Sequence, residues 1–381
     1  MTIRLRPAEA VAAGHPDRLA DSIADALVAR AAGGIGRSLS GVEVAVHRDR
    51  VFVTGTIAGT PVRPRHVAAE AMEVYWDAGY GEAWGPDPRT LQVALDLEVR
   101  PLLDGEHDLR ACSADQSITT GYAVDRPGTG WLPPEHWLAR RIMVGIAGMG
   151  HTLPALHLGP DGKVAVVCAE PSDGGPVGID AVTVSVQQRT VANDLLTRRA
   201  ILAVIRAAAA VAGDTFVVPD DLADRLLVNG AGDFERGGPY GDNGLSGKKL
   251  VVDAYGPRVP IGGGALCGKD FYKVDRSGAI IARRLALAAV RSGAAREATV
   301  ELLWRPGDRA GRITSVVDGS GASVPIGPWA DGVDRTLAGN GDRWTQELGD
   351  RMRHVAVAGH FGSGQPWETD ADVGGVEEAA A

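Results

Sequence analysis

Four lysines, Lys248, Lys249, Lys269 and Lys273, stand close together in a glycine-rich stretch spanning 229–276. Glycines let backbone N–H groups approach an anion, and a lysine ammonium adds compact positive charge. That pairing suits a chain of phosphates. Asp242, Asp253, Asp270 and Asp275 are interleaved with the lysines. Carboxylates and phosphates are the oxygen ligands that Mg2+ takes, so the stretch has the composition of a magnesium–polyphosphate site. Taken singly, most of these aspartates also suit turns and helix caps. His15 and Asp17 flank Pro16 at the start of a helical pattern. The helix dipole gathers anions there, and His15 can donate a hydrogen bond to a phosphate or bridging oxygen.

Residues 263–269, GGALCGK, match the spacing of a P-loop, but Asp270 stands where that loop needs Ser or Thr for Mg2+, and no strand leads directly into it. We therefore read the lysines as a different kind of phosphate cradle.

The elements that must position these groups follow from periodicity. Pro16 suits a first helical position, and Leu19, Ile23 and Leu27 repeat every four residues, which predicts a helix over 16–32. Val42, Val44 and Val46, a turn at Arg48-Asp49, then Val51 and Val53, predict a hairpin. A second amphipathic helix follows at 65–78. Strands are predicted at 164–168 and 179–186, a helix at 194–212, a strand at 250–255, a helix at 278–292, and a strand pair at 299–303 and 313–317. Three blocks, each a hairpin with one or two helices, point to an α/β (α+β) fold of pseudo-repeated domains with antiparallel sheets.

The chain has 381 residues, 45% apolar and 23% charged, the profile of a globular protein with sizeable cores. No apolar run reaches membrane-helix length. The opening MTIRLRPAEA has no signal-peptide core, and three scattered cysteines rule out a disulfide framework, so a cytoplasmic location is expected. A net charge of −9 disfavours nucleic acid as a partner. Acidic residues from Glu368 to Glu378 read as a solvated end.

Longer segments resemble the S-adenosylmethionine synthetase (methionine adenosyltransferase) family. They are GHPDRLADSIADALV (14–28), ADQSITTGYAVD (114–125), PDGKV (160–164), GIDAVTVSVQ (178–187), GGPYGDNGLSGKKLVVDAYG (237–256) and GGGALCGKDFYKVDRSGAIIAR (262–283), with GHFG and PWE near the end. The resemblance covers nearly the whole chain, in the family's order. It implies three domains of similar topology, here 1–100, 111–230 and 231–381, and a homodimer or homotetramer with active sites between subunits. It implies that ATP and methionine combine, that tripolyphosphate leaves and is cut to pyrophosphate and phosphate, and that two Mg2+ and one K+ assist.

By the same resemblance, His15 helps the tripolyphosphate leave. Asp17 and Asp275 are Mg2+ ligands, and Glu43 is the K+ ligand. Asp161 and Lys163 contact nucleotide and phosphate. Lys248, Lys249, Lys269 and Lys273 bind phosphates, Phe234 lies beside the adenine, and Asp115 serves the adenosine and methionine pocket. Asp242 and Lys273 lie near the amino-acid substrate.

The departures concentrate on that amino-acid side. Thr56 replaces a glutamate that holds the methionine amino group, a loss worth roughly 1.5–3 kcal/mol for a charge-assisted bond. The family's QSPDI segment is missing. LEVRPLL (97–103) stands in its place, with Glu98 or Arg100 as the nearest polar substitutes, and the following loop is short. Cys267 replaces a serine near the K+ site, Ala13 a glutamate, Ile261 a histidine, Arg18 a lysine and Lys248 an arginine. GDFER (232–236) carries Asp233, Glu235 and Arg236 where the family has arginine and two apolar residues. The expected activity is S-adenosylmethionine formation. The same transfer to another nucleophile, and a catalytically silent nucleotide-binding homologue, are the competing readings.

Overall fold

The computed structural model describes residues 2–35, 38–189 and 194–369. Three sheets, covered by helices, carry the site. The first orders β1 (Ile3–Val11), β6 (Leu158–Pro171), β7 (Val177–Gln188) and β8 (Phe216–Val217), with β9 (Leu226–Val228) also on β7. The second orders β10 (Gly244–Leu245), β2 (Leu39–His47), β3 (Arg50–Ala58) and β4 (Gln92–Arg100), and the third β12 (Arg312–Val317), β11 (Glu297–Trp304) and β5 (Ser117–Val124). Pairing is antiparallel except for β3–β4, β7–β8 and β7–β9. This is the expected α+β class.

The sheets trade strands. β1 leaves the N-terminal block to pair with β6, β5 leaves the central stretch to pair with β11, and β10 reaches back to β2. Two long helices hold the arrangement. α1 (Pro16–Ile35) buries Leu19, Ile23 and Leu27 completely, as its four-residue apolar spacing requires. α2 (Pro64–Asp77), α3 (Pro134–Thr152) and α4 (Asp194–Val211) follow. α6 (Val274–Arg291) is buried on nearly all sides, and α7 (Leu337–Leu348) packs near it. Gly121 of β5 is needed where it crosses α6, since a Cβ there would lie 2.0 Å from the Ala282 carbonyl.

One sequence expectation is corrected. The run 250–255 is not a strand; Leu250–Asp253 forms a helical turn, α5. Its β-branched residues favour extension, but the Asp253 carboxylate takes an ion pair of 2.6 Å from buried Arg18 on α1, and the Asp253 N–H donates to the Lys249 carbonyl. Tertiary pairing overrides local preference. The acidic end is corrected in part. Glu368 is buried and paired with Arg283 at 2.8 Å; the rest, from 370, lies outside the described residues. No helix among the described residues is long and apolar enough to cross a membrane.

Candidate active site

Asp17, in the first turn of α1, is the hub of one cluster. Its Oδ1 accepts the Leu245 N–H at 3.0 Å, Lys249 Nζ lies 3.3 Å from Oδ2, and Lys248 Nζ lies 3.7 Å from Oδ1. The glycine-rich loop can come this close because Gly244 has no side chain: a Cβ there would sit 2.1 Å from the Pro16 carbonyl oxygen. His15 completes the group. The Asp17 N–H donates to His15 Nδ1 at 3.2 Å, which leaves the ring proton on Nε2. Burial first, then the nearby Lys249 charge, lower the His15 pKa to about 4, so the ring is neutral at physiological pH and donates from Nε2.

Lys163 and Asp161 approach the same cluster from β6. Lys163 Nζ pairs with Glu9 of β1 at 2.7 Å, and its charge is felt at His15. Asp161 is buried, and burial raises its pKa to about 6. Its Oδ2 accepts the Gly238 N–H at 2.7 Å, which ties the start of the glycine-rich loop to β6. Tyr80, which sequence reasoning did not single out, donates its hydroxyl to the Gly14 carbonyl at 2.6 Å and packs where a Cβ on Gly238 would stand.

Asp275, in the first turn of α6, anchors a second cluster. Lys269 Nζ lies 2.5 Å from Oδ2, and Ser117 donates its hydroxyl to Oδ1 at 2.9 Å. Burial, the largest single influence, would raise the Asp275 pKa, but the Lys269 hydrogen bond and charge, the Gly264 N–H and the Ser117 hydroxyl together outweigh it and hold the carboxyl below its ordinary value. Gly264 leaves the carboxylate open, because a Cβ there would be 2.9 Å from both Asp275 Oδ2 and Lys269 Nζ. Lys273 precedes α6 and its charge reaches Asp270 and Glu106.

Beneath the clusters lies a buried charged layer that the sequence did not reveal. Arg276 donates two hydrogen bonds of 2.9 Å to Asp25 of α1, both side chains fully buried. Arg18 bridges Asp21 and Asp253. Cys267 sits inside this layer, where burial and then the Asp25, Asp21 and Asp253 carboxylates push its thiol pKa well up.

Other expected site residues stand apart. Asp115 and Asp242 are exposed, and their carboxylates accept the neighbouring N–H groups of Gln116 at 2.7 Å and Asn243 at 2.8 Å respectively. Phe234 is half-buried against Gly237, and its carbonyl accepts the Gln188 N–H. Glu43 is exposed on β2 with no side-chain partner among the described residues. Thr56 donates its hydroxyl to Glu98 Oε2 over 3.4 Å.

Asp17 and Asp275 offer hard oxygen donors beside lysines and open glycine backbone, a donor set that fits Mg2+ with phosphate. For K+ the fit is poorer, because the expected neighbour Cys267 is buried among other carboxylates while Glu43 faces outward.

Comparison with known proteins agrees with this geometry. Residues 110–234 match the family model for the S-adenosylmethionine synthetase central domain, and residues 236–369 match that for its C-terminal domain. The S-adenosylmethionine synthase of Thermosynechococcus vestitus is 34% identical, over 98% of this chain and 97% of its own. That of Thermus thermophilus is 33% identical over 96% of each chain, and that of Zymomonas mobilis 32% identical over 78% of this chain and 77% of its own. With such coverage and the two lysine–carboxylate clusters in place, the chain belongs to the S-adenosylmethionine synthetase family.

Proposed function

We propose that the protein forms S-adenosylmethionine from ATP and methionine and then cuts the released tripolyphosphate to pyrophosphate and phosphate. The observation that carries this reading is the pair of clusters, Asp17 with Lys248, Lys249 and His15, and Asp275 with Lys269. Methionine sulfur supplies an electron pair to C5′, a sulfur–carbon bond forms, and the C5′–oxygen bond breaks with its pair passing to the tripolyphosphate. Sulfur needs no base. It needs alignment with C5′ and a leaving group whose growing charge is neutralised.

His15 Nε2 donates a hydrogen bond to the departing oxygen. Lys163, Lys248, Lys249, Lys269 and Lys273 bear on the phosphates. Each fixed cation matters: two unit charges 4 Å apart interact by about 4 kcal/mol at an effective dielectric of 20, and preorganised charge is the main source of such rate enhancement. Asp17 and Asp275 would hold Mg2+, which supplies charge neutralisation along the phosphate chain when bound. Asp161 fixes the loop that carries the lysines. Phe234 offers a face for the adenine, while Asp115, Asp242, Thr56 and Glu98 serve the amino-acid side.

A homodimer or homotetramer fits the sheet of β2, β3 and β4. Its outer face presents Gly41, Ala45, Phe52 and Ala94 alongside Glu43, Thr54 and Asp96, with Phe52 44% exposed. A second copy on that face covers Phe52 and brings further site residues to the clusters. The test is incubation with ATP, Mg2+ and methionine, with products read by mass spectrometry. S-adenosylmethionine with equimolar pyrophosphate and phosphate is expected; ATP cleavage without an adenosyl product contradicts the proposal.

A further inference from the structure

The segment that delivers His15 continues the pairing of β1 with β6. Ala12 and Gly14 donate their N–H groups to the Gly162 and Pro160 carbonyls at 2.9 and 3.2 Å. Backbone lies directly on backbone here, since a Cβ on Gly14 would stand 2.4 Å from the Pro160 carbonyl oxygen. The carbonyl of Gly14, one residue before His15, belongs to a buried residue and accepts the Tyr80 hydroxyl at 2.6 Å. No second donor to that carbonyl is found among the described residues. A buried carbonyl with one donor depends on that donor entirely.

Tyr80 is itself firmly placed. It is 3% exposed. It follows Gly79, whose φ of 99° turns the chain at the end of α2. Its N–H donates to the Tyr75 carbonyl at 3.0 Å, and its ring packs against Tyr75 with centroids 5.4 Å apart. The hydroxyl also meets the start of the glycine-rich loop: a Cβ on Gly238 would stand 2.0 Å from it. Gly238 is the residue whose N–H Asp161 holds. Burial, and then the Asp161 charge, push the Tyr80 pKa well up, so the phenol keeps its proton and acts as a donor. Segment 12–15, β6 at Asp161 and the loop that carries Lys248 and Lys249 thus converge on one hydroxyl.

This inference rests on the reading that His15 serves the departing oxygen. The His15 ring is fixed on one side by the Asp17 N–H at Nδ1. We propose that Tyr80 is the positioning residue for His15, its hydroxyl fixing the Gly14 carbonyl and with it the point from which His15 Nε2 donates. A donor to developing charge works only when it is held in place beforehand, and a displacement of about 1 Å can cost 10²-fold in rate. Tyr80 acts through His15 and need not touch the substrate.

The test is a double-mutant cycle, with adenosyl transfer from ATP to methionine read by mass spectrometry. Tyr80→Phe removes the hydroxyl and keeps the ring against Tyr75 and Gly238. It is expected to lower kcat about 10- to 100-fold and leave KM for ATP unchanged. In a His15→Ala background, where the donor to be positioned is gone, the same change should cost no more than about 2-fold. A purely structural role predicts otherwise, because loss of folded enzyme scales both backgrounds alike. Equal fold-losses with and without His15, or a Tyr80→Phe enzyme with full kcat, overturn the assignment of Tyr80 alone. A His15→Ala variant as fast as wild type, or a wild-type protein that forms no adenosyl product, overturns the reading beneath it as well.

Discussion

Lys249 Nζ stands 3.3 Å from Asp17 Oδ2, joining the glycine-rich loop to the first turn of α1. The same carboxylate takes Lys248 and the Leu245 N–H, so the phosphate cradle exists before any nucleotide arrives. Replacing Lys249 with alanine is expected to lower kcat by 10²-fold or more while the thermal midpoint moves by only a few degrees, since Asp17 keeps the Leu245 N–H and Lys248 as partners. Steady-state rates and a melting curve on one preparation check this.

Lys269→Ala removes the cation of the second cluster and leaves Asp275 with the Ser117 hydroxyl and the Gly264 N–H. The adenosyl-transfer rate should fall by orders of magnitude with the fold intact. A silent nucleotide binder would show no catalytic change, so the rate ratio separates the two.

The pH profile should report Asp161 and not His15. The His15 pKa is lowered to about 4, so its ring stays neutral across the working range. The Asp161 pKa is raised to about 6, so its carboxyl protonates as pH falls through 6 and the Gly238 N–H loses an anionic acceptor. Activity is expected to decline below pH 6. His15→Gln should keep that limb at a lower rate, and Asp161→Asn should abolish it.

Stability carries the corresponding signs. A raised folded pKa means the native state binds the Asp161 proton more tightly than the unfolded chain. Its contribution favours folding at low pH and is lost as pH rises from 3.8 through about 6. Asp161→Asn should therefore stabilise the protein at pH 7, by an amount on the order of 1–3 kcal/mol, even as it costs activity. His15 and buried His136, lowered to about 4 and about 3, act oppositely: their burial opposes folding as pH falls below 6.5. Denaturant titrations of wild type and Asp161→Asn at pH 5 and 7 measure the difference.

The buried Arg276–Asp25 pair predicts a large stability effect. Asp25→Ala leaves a fully buried guanidinium without its carboxylate, a change that costs about 3–5 kcal/mol. Chemical denaturation reads it directly.

Much of the fold was legible wherever the signal was local. The period-four apolar residues of α1 and the alternating valines of β2 and β3 fall where the pattern placed them. Strand exchange was not legible, because the pairing of β5 with β11 or β1 with β6 is a long-range fact with no local signature. The strand reading of 250–255 failed for a related reason: Arg18, far away in sequence, captures Asp253. In the site, residue types revealed the lysine–carboxylate chemistry, and the structure joins His15, Asp17, Lys248 and Lys249. Ser117 and Tyr80 were missed, since a hydroxyl's partner is decided by tertiary approach. Glu98 was named as a possible substitute, but its pairing with Thr56 needed the register of β4.

The central claim is that carbon–oxygen cleavage at C5′ releases the whole phosphate chain to an incoming sulfur. A rapid-quench single turnover with γ-phosphate-labelled ATP, Mg2+ and methionine tests it most directly. Tripolyphosphate should appear together with S-adenosylmethionine in equal amounts and then decay to pyrophosphate and phosphate. Appearance of ADP or AMP in the same quench, with no sulfur–adenosyl product, would contradict the account.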